Sequence, residues 1–201
     1  MNRNAILTLA MLALASSVAF AASPARDVTA SVGSPAPDFT LEDQDGTKVS
    51  LSDYAGKVVV LEWFNYDCPF VKRHYEAETF AKLANKFKDQ GVIWLTINTT
   101  HYATNADNKE FKEANSLPYA ILSDPTGEVG KMYDAKTTPH IFIIDKEGKL
   151  VYAGAIDDDP KGESEKPNNY VKTALTDVLA GTPVTTPETK PYGCSVKYAE
   201  K

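Results

Sequence analysis

The sequence predicts an α/β fold, a central mixed β-sheet flanked by helices, and three observations point to it. Two nearly continuous apolar runs rich in β-branched residues, Lys57 to Phe64 and Val92 to Ile97, suit strands buried on both faces. Between them Phe80, Leu83, Ala84 and Phe87 recur at three and four residues, the spacing of a helix with one apolar face. Further on, Ile141 to Ile144 and Leu150 to Ala153 flank the turn Asp145-Lys146-Glu147-Gly148, which suits an antiparallel edge.

The remaining elements follow in chain order. Met1 to Ala21 has an Arg3-bearing start, an apolar run from Ala5 to Phe20 and a small-x-small end, the pattern of a cleaved secretory signal. Residues 22–37 carry Pro24, Gly33, Pro35 and Pro37 without periodicity and read as an extended leader. A domain is expected over 38–181. It opens on a β-hairpin, with Phe39, Leu41, Val49 and Leu51 flanking Asp43-Gln44-Asp45-Gly46. After the strand ending at Phe64, Pro69 suits the first helical position, and one helix of about twenty residues should run to Gly91. Asp107 to Ala114 is expected as a short helix capped by Asp107, and Tyr119 to Leu122 as a short strand. Val171, Ala174, Leu175, Val178 and Leu179 mark a final helix, stopped by Gly181 and Pro183. An irregular Pro- and Thr-rich tail, 182–201, carries Cys194.

Composition narrows the function. The 27 acidic residues outnumber 21 basic ones, and the basic ones are scattered, which argues against a nucleic-acid partner. No segment after the signal has the apolar length of a transmembrane helix, so no stable membrane span is expected once the signal is removed. A periplasmic or secreted location would let the two cysteines, Cys68 and Cys194, form a disulfide if they meet.

Cys68 sits where the strand becomes the helix, in Phe64-Asn65-Tyr66-Asp67-Cys68-Pro69-Phe70-Val71. Unpaired N–H groups and the partial positive charge of a helix start lower a thiol's pKa, which makes Cys68 a candidate nucleophile. With this site, the Ala36-Pro37-Asp38-Phe39-Thr40-Leu41 opening, the Gly56-Lys57-Val58-Val59-Val60-Leu61 strand and Thr137-Thr138-Pro139 before Ile141 to Ile144, the chain resembles the thioredoxin superfamily from about Gly33 to Leu179. The likeness is to its redoxin or AhpC/TSA, peroxiredoxin-like branch, with a single cysteine at the first position of Cys-x-x-Cys. The resemblance implies a thioredoxin-like fold and a cis peptide bond before Pro139. It also implies a backbone at Thr138 that faces Cys68 and is free to pair with an extended substrate, so that Thr138, Pro139 and Pro69 shape the substrate pocket.

Two departures bear on activity. Val71 stands where a dithiol exchanger has its second cysteine. Asn65 and Leu61 stand where a peroxiredoxin has the threonine and proline of Pro-x-x-x-Thr-x-x-Cys. Cys194 is then the candidate resolving thiol, and its rival reading is a permanent structural disulfide with Cys68. Lys72 and Arg73 either support the Cys68 thiolate or form a solvated helix face. Asp67 would oppose the thiolate if it pointed inward. His74, His101 and His140 raise a copper or zinc site with Cys68, although copper carriers of this fold usually have a second nearby cysteine. Asp157, Asp158, Asp159, Glu163 and Glu165 read as a solvated acidic loop, and Trp63 and Trp94 as core.

The expectation is an exported thiol-disulfide oxidoreductase or peroxiredoxin-like antioxidant enzyme acting on a thiol or disulfide protein or on a peroxide. Another thiol protein would supply its electrons. No organic cofactor is expected, since no Gly-rich phosphate loop follows a strand. The alternatives are a copper carrier and a non-catalytic binding module.

Overall fold

Nine strands and five α-helices make up residues 29–200, which the computed structural model describes; the expected signal segment, Met1 to Ala21, and the first part of the expected leader lie outside the described residues. The strands are β1 (Thr40–Asp43), β2 (Lys48–Ser50), β3 (Val58–Phe64), β4 (Val92–Asn98), β5 (Ala120–Ser123), β6 (Thr137–Thr138), β7 (His140–Ile144), β8 (Leu150–Gly154) and β9 (Cys194–Ser195). The helices are α1 (Pro69–Glu76), α2 (Thr79–Phe87), α3 (Asn105–Ala114), α4 (Glu128–Met132) and α5 (Tyr170–Leu179).

Seven strands form one sheet in the order β2-β1-β5-β4-β3-β7-β8. Strands β3, β4 and β5 run parallel, while β7 is antiparallel to β3 and β8 to β7. β1 pairs antiparallel with both β2 and β5, which adds the expected hairpin as the other edge. β3 is buried at all seven positions because both faces of the sheet are covered. Its alternating side chains divide the core. Val58, Val60 and Phe64 face residues of α1, α2 and α5, whereas Val59, Leu61 and Trp63 face Val129, Tyr133 and Phe142. Trp63 and Trp94 are core residues, and their ring N–H groups donate to Thr99 (3.0 Å) and Glu62 (2.9 Å).

Three local expectations need correction. The single helix after Cys68 is two, α1 and α2, broken at Glu78, whose φ is +55°. Tyr75 and Phe80 belong to the same core cluster, with ring centroids 5.3 Å apart, yet five residues of unbroken helix would turn them about 140° away from each other. The break aims both rings inward. Helix α3 is capped by Thr104 rather than Asp107. Asp107 lies at the third helical position and completes a capping box by accepting the Thr104 N–H at 2.8 Å. The tail is irregular except at β9, which pairs antiparallel with β6 in a separate two-stranded sheet, Thr137 opposite Ser195 and Thr138 opposite Cys194. Among the described residues no helix is long and apolar enough to cross a membrane.

Candidate active site

Cys68 is the N-cap residue of α1, at the end of the loop leaving β3. Asn65 shapes that loop. Its side chain donates to Thr100 Oγ1 (3.0 Å) and accepts the Asp67 N–H (2.6 Å), and its carbonyl accepts the Cys68 N–H (3.1 Å). Pro69 starts the helix, as expected, where its missing N–H has no intrahelical partner to lose. The Cys68 thiol donates to the carbonyl of Thr138 at 2.9 Å, and the Thr138–Pro139 peptide bond is cis. The strand–helix junction and the start of β6–β7 thus meet at one sulfur.

The tail closes over this point. Cys194 lies opposite Thr138, whose carbonyl accepts the Cys68 thiol proton, in the β6–β9 ladder, and the two thiols are near enough to shift each other's ionisation in opposite directions. Both are free thiols. Gly193 makes the close approach feasible: its φ is +133°, and a Cβ there would run into the Thr138 carbonyl. Covered in this way, Cys68 is only 2% exposed. The Thr138 backbone, expected to be open to a substrate, is occupied by the chain's own tail.

Electrostatics separates the two sulfurs. Burial pushes the Cys68 thiol up, but hydrogen bonds from the Thr138 side chain, the Val71 N–H and Cys194 outweigh it and hold the thiol below its ordinary value. Thr138 acts in two opposed ways. Its carbonyl accepts the thiol proton and favours the neutral form, whereas its hydroxyl, buried and without a hydrogen-bond partner beside the protonated thiol, favours the thiolate. Cys194 goes the other way, pushed up to about 11 by burial and by the hydrogen bond and charge of Cys68. Cys68 is thus the readier of the two to lose its proton.

Neither expected cation reaches the sulfur. Lys72 is exposed and lines a hollow with Tyr66, Asp67 and Phe111, and only its backbone N–H touches Cys68, at the carbonyl (2.9 Å). Asp67 is exposed and accepts the Tyr102 hydroxyl at 3.3 Å. The Arg73 guanidinium donates to the carbonyls of Asp159 (2.9 Å) and Pro160 (3.1 Å) and lies over the Tyr192 ring, 5.9 Å from its centroid. Arg73 fastens the 157–162 loop and the tail to α1. His74 joins this cluster, its Nε2 at 2.9 Å from the Tyr192 hydroxyl and 3.2 Å from Arg73 Nη2. The Tyr192 hydroxyl donates to Asp157, so towards His74 Nε2 it can only accept. Burial and the Arg73 charge oppose protonation of His74, and its pKa is pushed down to about 4 despite Asp157 and Asp159. Asp157, 5% exposed, is therefore part of the tail clamp and not of a solvated loop.

The histidines do not converge on Cys68. The His140 Nδ1 accepts the Lys136 N–H at 3.3 Å, and His101 is exposed. Among the described residues no three His, Cys, Asp or Glu side chains are grouped to hold a metal. The acidic loop uses its carboxylates internally, since Asp159 accepts the N–H groups of Gly162, Glu163 and Ser164 at 2.9–3.0 Å.

Glu62 was legible but unread: it is the only charged residue in Val58–Phe64, and it is 0% exposed. It accepts from Tyr75 (3.0 Å), Trp94 (2.9 Å) and Thr96 (3.2 Å). Burial outweighs these donors, and its pKa is pushed up to about 7. The meeting of Tyr192 and Asp157 with α1 had no signal in local spacing.

Comparisons with known proteins bear on the family and the fold. The family model described as AhpC/TSA family matches residues 32–153. The chain is similar to thiol-disulfide oxidoreductase ResA of Geobacillus thermodenitrificans, 32% identical over 74% of this chain and 82% of that one. It is also similar to the chloroplastic peroxiredoxin Q of Oryza sativa, 35% identical over 61% of this chain and 58% of that one. Among solved structures, an uncharacterized conserved protein from Geobacillus kaustophilus superposes with a TM-score of 0.77 at 31% identity, covering 85% of this chain and 94% of that one.

Proposed function

The chain belongs to the AhpC/TSA family, in the redoxin branch of the thioredoxin superfamily, and is a thiol oxidoreductase; on that footing we propose that Cys68 is its nucleophile and Cys194 its resolving thiol. The observation that carries this reading is the contact between one thiol held below its ordinary pKa and another pushed up to about 11. The Cys68 thiolate attacks a disulfide, forming one S–S bond while the other sulfur leaves as a thiolate and takes a proton. With a peroxide, the O–O bond breaks instead, water or an alcohol leaves, and Cys68 becomes a sulfenic acid. Cys194 then gives up its proton and attacks the Cys68 sulfur, expelling the bound thiol or water and leaving a Cys68–Cys194 disulfide. An external thiol protein returns two electrons and two protons. Thr138, Pro139 and Pro69 bound the reacting sulfur, and the otherwise unpartnered Thr138 hydroxyl favours its ionised form. The Met1–Ala21 pattern supports export to the periplasm or beyond, where this chemistry would operate.

The test is turnover with a dithiol donor in excess. Cys68→Ser should abolish reaction with both disulfide and peroxide. Cys194→Ser should keep the first, single-turnover step and lose multiple turnover. Undiminished turnover in Cys194→Ser would remove the resolving role and leave that thiol a structural one.

A further inference from the structure

An extended polypeptide recognised at Thr138 would form an antiparallel ladder with residues 137 and 138, and only one strand fits there. β9 already occupies it. The occupant is anchored on both sides of Cys194. Upstream, Thr189 Oγ1 lies 2.7 Å from the Tyr152 hydroxyl and accepts the Ala155 N–H at 2.8 Å, and Tyr192 is held by Asp157, His74 and Arg73. Downstream, the Val196 N–H donates to Lys136 O (3.2 Å), its side chain is buried in the core on the far face of the sheet, and the Tyr198 hydroxyl donates to Ala135 O at 2.8 Å. This is a strap fixed at both ends.

We infer that residues 189–198 act as a built-in peptide ligand, so that the reduced protein accepts small oxidants, a peroxide or a low-molecular-weight disulfide, and refuses disulfides carried on extended polypeptides until the strap is displaced. The inference rests on the reading of Cys68 as nucleophile. A small molecule needs a line of approach to the sulfur and no ladder. A hollow of about 350 Å³ lined by Tyr66, Asp67, Lys72 and Phe111 opens beside the residues preceding Cys68; neither Cys68 nor any strap residue lines it, so a small oxidant has to travel only from this hollow past the strand–helix loop to reach the sulfur. Gly193 is the weakest point of the seal, since any side chain there collides with the carbonyl that the strap covers.

The experiment uses the full chain in a Cys194→Ser background, which keeps the strap and silences resolution. The rate of mixed-disulfide formation at Cys68 is followed by mass with two probes sharing one leaving group: 2-hydroxyethyl disulfide, and a ten-residue unstructured peptide whose cysteine is disulfide-bonded to 2-mercaptoethanol. The small probe should react at least about tenfold faster than the peptide. Adding Gly193→Ala should raise the peptide rate by about tenfold or more and the small-probe rate by less than about threefold, and Tyr198→Ala, which frees the downstream anchor, should act in the same direction. Equal rates for the two probes in the strap-intact protein overturn the inference. So does a peptide rate that neither variant moves, or an equal acceleration of both probes. Failure of Cys68 to react with either probe in any variant overturns instead the nucleophile reading beneath it.

Discussion

Thr138 makes two opposed demands on the Cys68 sulfur, and only one of them can be removed by mutation. Thr138→Val keeps the carbonyl that accepts the thiol proton and deletes the hydroxyl that favours the thiolate. The apparent pKa of Cys68, read from alkylation rate against pH, should rise, and alkylation at neutral pH should slow by roughly three- to tenfold. Glu62 is the second residue whose charge is contested. Its folded pKa, about 7, lies above that of an unfolded glutamate, so the folded protein holds a proton that the unfolded chain has already lost. Its contribution is therefore favourable below about pH 4.5 and is lost as pH rises to about 7. His74 and His140, both pushed down to about 4, act with opposite sign: their contribution is present above about pH 6.5 and is lost as pH falls towards 4. Glu62→Gln should raise stability at pH 8 by about 1–3 kcal/mol. It should also leave a denaturation midpoint that climbs with pH between 4 and 6.5. The same midpoint in both proteins at pH 8 would remove Glu62 as the source.

At the scale of elements, strands were easier to read than helix ends. β3, β4 and β7 follow their apolar runs to within a residue or two because a strand buried on both faces is built mostly of apolar side chains, and the edge strand β8 follows its own run. The division of α1 from α2 was hidden, since Tyr75 and Phe80 must share a cluster that only the folded packing defines. α4 was hidden too, with five residues and no full turn of periodicity beyond them. For α3 the cap was misassigned by three residues, because Thr104 and Asp107 are both good capping residues and the box uses both. Thr104→Ala should cost about 1 kcal/mol in chemical denaturation, and Asp107→Ala, which removes the reciprocal acceptor, less than that. Cys68 was legible at its helix start for the same local reason. The meeting of His74, Asp157 and Tyr192 was not, because they come together through the course of the tail, and no periodicity encodes that course.

Across the whole molecule, the tail joins parts of the chain that the sheet alone leaves apart. It runs from Thr189 beside Tyr152, over the two sulfurs, to Tyr198 and Val196 on the opposite face. Tyr192→Phe deletes the hydroxyl shared with Asp157 and His74 and leaves the ring, so it should loosen the tail without emptying the core. Iodoacetamide labelling of Cys194 should quicken severalfold in that variant, with global stability lowered by about 1 kcal/mol. Unchanged labelling would mean that the ring, not the hydroxyl, does the holding. The long separation of Cys68 and Cys194 in the chain has a further physical result. Bonding their sulfurs would make a covalent ring of well over half the polypeptide, restricting the denatured ensemble by an amount on the order of 4–5 kcal/mol. Melting temperature would then double as a gauge of how oxidised a sample is, with each round of turnover alternately stiffening and relaxing the entire chain.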